Sequence, residues 1–105
     1  MLILLLRKMV SNVLKAFSIF DDKATVFNTP FFSINESVAR RDFTRLVQDE
    51  SSIIHVAPVD FHLYEVGSFD DDSGIFAVYD KPVFVCHAVS CIKPLPLTAN
   101  ANVAE

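Results

Sequence analysis

Five side chains of this sequence carry the donor atoms of a zinc site: His55, His62, Cys86, His87 and Cys91. Their spacing does not fit the paired-ligand pattern of structural zinc, in which two donors two to four residues apart recur at a second place. Cys86 and His87 are adjacent, so on a strand they point to opposite faces. A buried thiol and a surface imidazole are the expected outcome. The same geometry argues against a Cys–His nucleophile, and no residue is placed to orient the base or bind an oxyanion. The acidic run Asp70–Asp72 lacks the alternating oxygen ligands of a calcium loop. The position that should hold a bidentate Glu is Lys81, and Gly74 falls too early. Asp60 and Glu65 could form a carboxylate pair, but nothing selects them from the other acids. The sequence is therefore read as non-enzymatic, with no metal and no cofactor.

A basic and aromatic group is the stronger candidate. Arg41 and Arg45 stand one helical turn apart, with Arg40 beside them, Lys23 in a preceding loop, and Phe31 and Phe32 in a Pro-containing loop next to the helix. Cations that follow a phosphate backbone, next to rings that stack on bases, are what sequence-tolerant single-strand binding uses. Lys23, Phe31, Phe32, Arg40, Arg41 and Arg45 are thus the candidate DNA-binding residues. A plainer reading competes with this one. Glu36 lies four residues before Arg40 and Asp42 three before Arg45, so both arginines have intrahelical partners, and the two phenylalanines can serve as core.

The elements that must position these residues follow from pattern. Leu14–Asp21 reads as a strand, Asp21–Lys23 as a polar break, and Ala24–Asn28 as a short extended piece. Pro30 lacks an amide donor and marks a loop or edge. Ser33 to Glu36 has capping-box spacing, with Asn35 as a rival cap. Val38, Ala39, Phe43, Leu46 and Val47 then recur at helical spacing, so a helix is expected over Ile34–Gln48. Asp49–Pro58 is read as a loop with a turn at Ile53-Ile54. Phe61–Phe69 is read as a strand covered on both sides, since both of its faces are partly apolar. Asp70–Gly74 is a hairpin turn by composition. Ile75–Tyr79 and Pro82–Val89 are taken as two separate strands. No internal repeat is apparent. One helix on a mainly antiparallel sheet is an α+β fold, ferredoxin-like or completed by dimerisation.

Bulk properties agree with one domain. The chain has 105 residues, about half of them hydrophobic, and ten are Phe. That is too apolar for disorder. Two glycines are too few for a phosphate loop. Residues 13–92 are assigned to the domain. Residues 1–12 are read as an apolar and basic extension, disordered or translated from an upstream start. Residues 93–105 are read as a flexible tail. Leu2–Leu6 precedes its basic residues and is too short to span a bilayer, so no membrane contact is expected. The net charge of −4 disfavours strong non-specific phosphate binding. The charge is uneven, however: residues 1–45 hold seven Lys/Arg against four acids, and the remainder two against nine.

One further signal is the order of several short words: Phe17–Ala24 (FSIFDDKA), Thr29–Phe32 (TPFF), Ser37–Phe43 (SVARRDF) and Asp60–Asp71 (DFHLYEVGSFDD). This series resembles the small non-structural protein family of gokushoviruses, tailless single-stranded DNA phages of the Microviridae. The resemblance runs from about Phe17 to Gly74. It implies a protein acting late in replication in the host cytoplasm. Such a protein would associate with viral DNA, single-stranded or replicative form, and with the replication complex and procapsid proteins. It would promote single-strand synthesis and packaging. Separately, a domain of this size buries its core only marginally, so a homo-oligomer is expected. The alternative is an oligomeric scaffold module that binds capsid or host replication proteins and never touches DNA.

Overall fold

The computed structural model describes residues 13–92, so the extension and tail expected at 1–12 and 93–105 lie outside the described residues. Five strands, β1 (Val13–Asp21), β2 (Val26–Phe27), β3 (Phe31–Ser33), β4 (Phe61–Asp70) and β5 (Ile75–His87), form one antiparallel sheet. Helix α1 (Glu36–Gln48) and the short α2 (Ile53–Val56) connect β3 to β4. The fold is α+β. The neighbour order is β2-β1-β4-β5, with β3 also paired to β1. β2 and β3 are thus two pieces of one interrupted edge, broken at residues 28–30 where Pro30 sits. The Asn28 amide still donates to the Ile19 carbonyl at 2.8 Å. The buried Ser18 hydroxyl donates to the Asn28 carbonyl at 2.6 Å.

Helix α1 begins at Asn35, not at Ser33. The Asn35 side-chain oxygen accepts from the Val38 amide at 2.9 Å, as an N-cap should. Ser33 is buried, and its hydroxyl donates to the Asn35 carbonyl instead. Ala39, Phe43 and Val47 form the buried stripe of the helix. They close over Phe17 and Ile19 of β1, Phe61 and Leu63 of β4, and Val85 and Cys86 of β5, with Ile54 and Ala88 completing the core. Burying several such side chains contributes about 1.5–3 kcal/mol each.

Two expectations are corrected. The segments read as separate strands are one element, β5, which runs beside β4 throughout. Gly67 pairs with Val78 and Glu65 with Val83. Residues 79–82 therefore make a bulged excursion, and Pro82 is tolerated there because no ladder bond is asked of it. Second, the chain does repeat itself. Phe20–Phe27 reads FDDKATVF and Phe69–Phe76 reads FDDDSGIF. Each builds a hairpin with a four-residue turn, Asp21 pairing Val26 and Asp70 pairing Ile75. In each, the Asp carboxylate accepts from the next two available amides, Lys23 and Ala24 or Asp72 and Ser73. In each, the residue in the left-handed region returns its amide to the Asp carbonyl at 2.7 Å: Thr25 (φ 58°) and Gly74 (φ 76°).

Candidate functional site

Residue alternation along β1 sends Lys15, Phe17 and Ile19 to the helix side and Leu14, Ala16, Ser18 and Phe20 to the other. Register carries this assignment across the sheet. Phe20 opposes Phe27 and His62, Ser18 opposes Tyr64, and Ala16 opposes Phe32 and Gly67. Tyr64 in turn opposes Phe84, and His62 opposes His87. No element among the described residues covers this second face. Among the described residues β4 is therefore packed on one side, where the sequence reads it as covered on both.

The open face is lined with rings in two groups. At one end, Phe20 and Phe27 have ring centroids 4.7 Å apart, Phe27 and Tyr64 5.4 Å, Tyr64 and Phe84 5.7 Å, and Phe84 and His87 4.6 Å. The series crosses every column of the sheet. At the other end, Phe69 lies 4.8 Å from Phe76 and 5.8 Å from Phe32. Phe27, Phe32, Phe76 and Phe84 are each 40–59 % exposed. Isolated exposed apolar residues are ordinary, but a contiguous aromatic face is what interaction surfaces expose. Small residues separate the two groups. At Gly67 a Cβ would come within 2.5 Å of the Ala77 carbonyl oxygen, so only glycine allows β5 to approach there.

A hydrogen-bonded chain borders the first group. His62 Nε2 lies 2.6 Å from the Asp22 carboxylate, and His62 Nδ1 lies 2.8 Å from His87 Nδ1. With both imidazoles neutral, His62 donates to the carboxylate through Nε2 and accepts from His87 Nδ1, which makes His87 Nε2 an acceptor at the rim. On the helix side, the 8 % exposed Glu65 accepts from the Tyr79 hydroxyl and pairs with Lys15 at 3.5 Å. That hydrogen bond, followed by burial, raises the Tyr79 phenol above its ordinary range.

The candidate residues are distributed over three places. Phe31 faces the core, stacked on Phe17 with centroids 5.9 Å apart, whereas its neighbour Phe32 is on the open face. Lys23 is exposed on the β1–β2 turn, at the Tyr64–Phe84 end. Arg40, Arg41 and Arg45 lie on α1, on the other side of the sheet. Arg40 pairs with Glu36 at 2.9 Å and donates to the Val85 carbonyl at 3.1 Å, pinning the helix to the edge strand. Arg45 pairs with Asp42 at 3.7 Å. The geometry thus brings Lys23 to the rings and separates the arginines from them. Sequence reading missed Phe20, Phe27, Tyr64, Phe84 and His87. The repeated eight-residue word, with a Phe at each end, is the signal that points to Phe20 and Phe27, and to Phe69 and Phe76 of the second group.

The sulfur and imidazole groups are also separated. Cys86 is buried, 4.0 Å from Cys91 on the helix side, while His87 is on the open face. Burial, reinforced by Cys91, pushes the Cys86 thiol up to about 12. His55 Nδ1 bonds the Val47 carbonyl at 2.9 Å. It borders a hollow of about 480 Å³ that Val47, Gln48, Pro58 and Ile92 also line. Gln48 likewise bonds a backbone carbonyl, that of Cys91.

A family model described as Phage ORF5 protein matches residues 14–91, which includes both turn words and the whole open face. No curated protein and no solved structure matches. No helix among the described residues is long and apolar enough to cross a membrane.

Proposed function

This chain belongs to the Phage ORF5 protein family, and from that premise we propose that it is a non-enzymatic DNA-associated factor of a gokushovirus. In this reading it acts late in replication, in the host cytoplasm, associating with viral DNA or its replication complex. It promotes single-strand synthesis and genome packaging into the procapsid. The single observation that carries the reading is the aromatic sheet face, which no described element covers. Rings on a rigid sheet are suited to holding an extended partner, and sheet-mounted aromatics are a common means of binding nucleic acid. Fluorescence-anisotropy titration of the purified chain with labelled single- and double-stranded DNA, across a salt series, tests it. Saturable binding near neutral pH supports the reading. Absence of binding even at low salt sinks it.

The second reading is an oligomeric scaffold module that binds capsid or host replication proteins without touching DNA. The outer side of β5 favours it, because among the described residues β5 pairs with β4 alone and most of its residues are exposed. An unpaired edge can accept a strand from a partner. Sedimentation velocity separates the two readings: the scaffold predicts stable oligomers that ignore DNA.

A further inference from the structure

Resting on the DNA reading above, we infer that the ligand is unpaired nucleic acid, seated at the Lys23 end of the open face on Phe27, Tyr64, Phe84 and His87. Three observations carry this. The first is the rings themselves. They form an unbroken series across β2, β1, β4 and β5, and neighbours are inclined to one another by 49–76°. They do not lie flat on each other. Bases in a duplex are already stacked and hidden, so only a single strand can lay its bases on such rings.

The second observation is charge. The two ends of the face are built from the same word, yet the second turn position is Lys23 at one and Asp72 at the other. The far end also carries Asp70 and Asp71. At the near end Asp22 faces His62 at 2.6 Å, and in both turns the first Asp carboxylate accepts from two turn amides. With two acids and a lysine against three acids, the near turn is the less repulsive to phosphate.

The third observation is polar groups among the rings. The Tyr64 hydroxyl and His87 Nε2, an acceptor when both imidazoles are neutral, lie within the series. His87 Nε2 can accept from a base N–H or exocyclic amine.

This site neutralises little phosphate. With Lys23 as its main cation, the logarithm of the binding constant should fall with the logarithm of salt with a slope of about one or less. Binding through Arg41 and Arg45 would be steeper and indifferent to the rings.

The test uses the full chain with a labelled oligothymidine of about ten nucleotides. Wild-type amide shifts are mapped by NMR, and anisotropy is measured for the variants. Shifts are expected at Phe27, Tyr64, Phe84 and His87. Phe27→Ala and Phe84→Ala should each weaken binding about tenfold. Phe84→Tyr and Arg41→Ala/Arg45→Ala should stay within about twofold, and a duplex of equal length should bind at least about tenfold more weakly. Shifts confined to α1, or equal affinity for duplex, would overturn the site while leaving the DNA reading intact. Loss of a sedimenting dimer in Phe84→Ala, with DNA binding unchanged, would assign the face to a second copy. No retention of any DNA would remove the reading itself. The wild-type map does not depend on the folding of any variant.

Discussion

The two hairpin turns of this protein are made to one plan and finished differently. Both start with Phe-Asp-Asp, both close a four-residue loop on the Asp carbonyl, and both set a Phe pair behind the turn, with centroids 4.7 and 4.8 Å apart. The far turn puts Gly74 in the left-handed region, where glycine has no Cβ to clash. The near turn puts Thr25 there, a β-branched residue for which that conformation is costly. The near turn carries a lysine where the far one carries an aspartate. Shared residues therefore specify the turn, and the unshared ones distinguish a surface that can meet an anion from one that repels it. Strain is retained at the end where binding is proposed, as it often is near functional sites.

Changes at the shared positions should have the largest effect. Asp21→Ala or Asp70→Ala removes the acceptor for two turn amides and should cost about 1–2 kcal/mol in urea unfolding. Similar losses at the two sites would sustain the common plan; a loss at only one would break it. Gly74→Thr copies the near turn onto the far one and should cost about 1–2 kcal/mol. The reverse exchange, Thr25→Gly, should stabilise by a few tenths to about 1 kcal/mol, seen as a raised Tm. If Thr25→Gly destabilises, Thr25 contributes something beyond the turn that the hydrogen bonds do not reveal. Smaller again is the charge exchange Lys23→Asp with Asp72→Lys. It should leave stability within about 0.5 kcal/mol and lower oligothymidine affinity about two- to fivefold at low salt.

The core behind the near end offers a test by pH. Cys86 and Tyr79 are both raised in the fold, so the folded state holds their protons more tightly than the unfolded chain. The stability they contribute is fully present below the unfolded pKa values. It is lost as pH rises through about 9 toward 12. Unfolding free energy should therefore decline over that window, and Cys86→Ser should flatten the part owed to the thiol. At pH 8, iodoacetamide should modify Cys91 well before Cys86, because the thiolate is the reacting form.

β1, β4, the helix and the fold class were legible in the sequence because local pattern decides them, whereas Phe31–Ser33 reads as part of a Pro-containing loop and forms β3. Phe17, Ile19, Ala39, Phe43 and Val47 have the periods of the elements they occupy. The helix start was ambiguous between Ser33 and Asn35. The structure resolves it because Ser33 is buried on β3, with its hydroxyl committed to the Asn35 carbonyl. The single β5 was not legible, since Pro82 and the charged pair Asp80-Lys81 resemble a break. Only the register to β4 shows the strand resuming at Val83. The candidate site was legible in part. Arg40 and Arg45 had visible intrahelical partners, and both pairs form. That Phe31 and Phe32 face opposite sides follows from strand alternation once β3 is known. The ring series joins residues 20, 27, 64, 84 and 87, and no local window contains it.

The excursion at residues 79–82 has one more consequence, for behaviour at high concentration. A long, straight outer strand is a template onto which other chains can add, growing into fibres. Here the outer strand is divided into two short runs by a bulge bearing Lys81 and Pro82, and one lacks a free carbonyl where Arg40 holds Val85. Continuous ladder growth along this border is interrupted. The protein can leave an aromatic sheet face open without also presenting a seed for cross-β stacking.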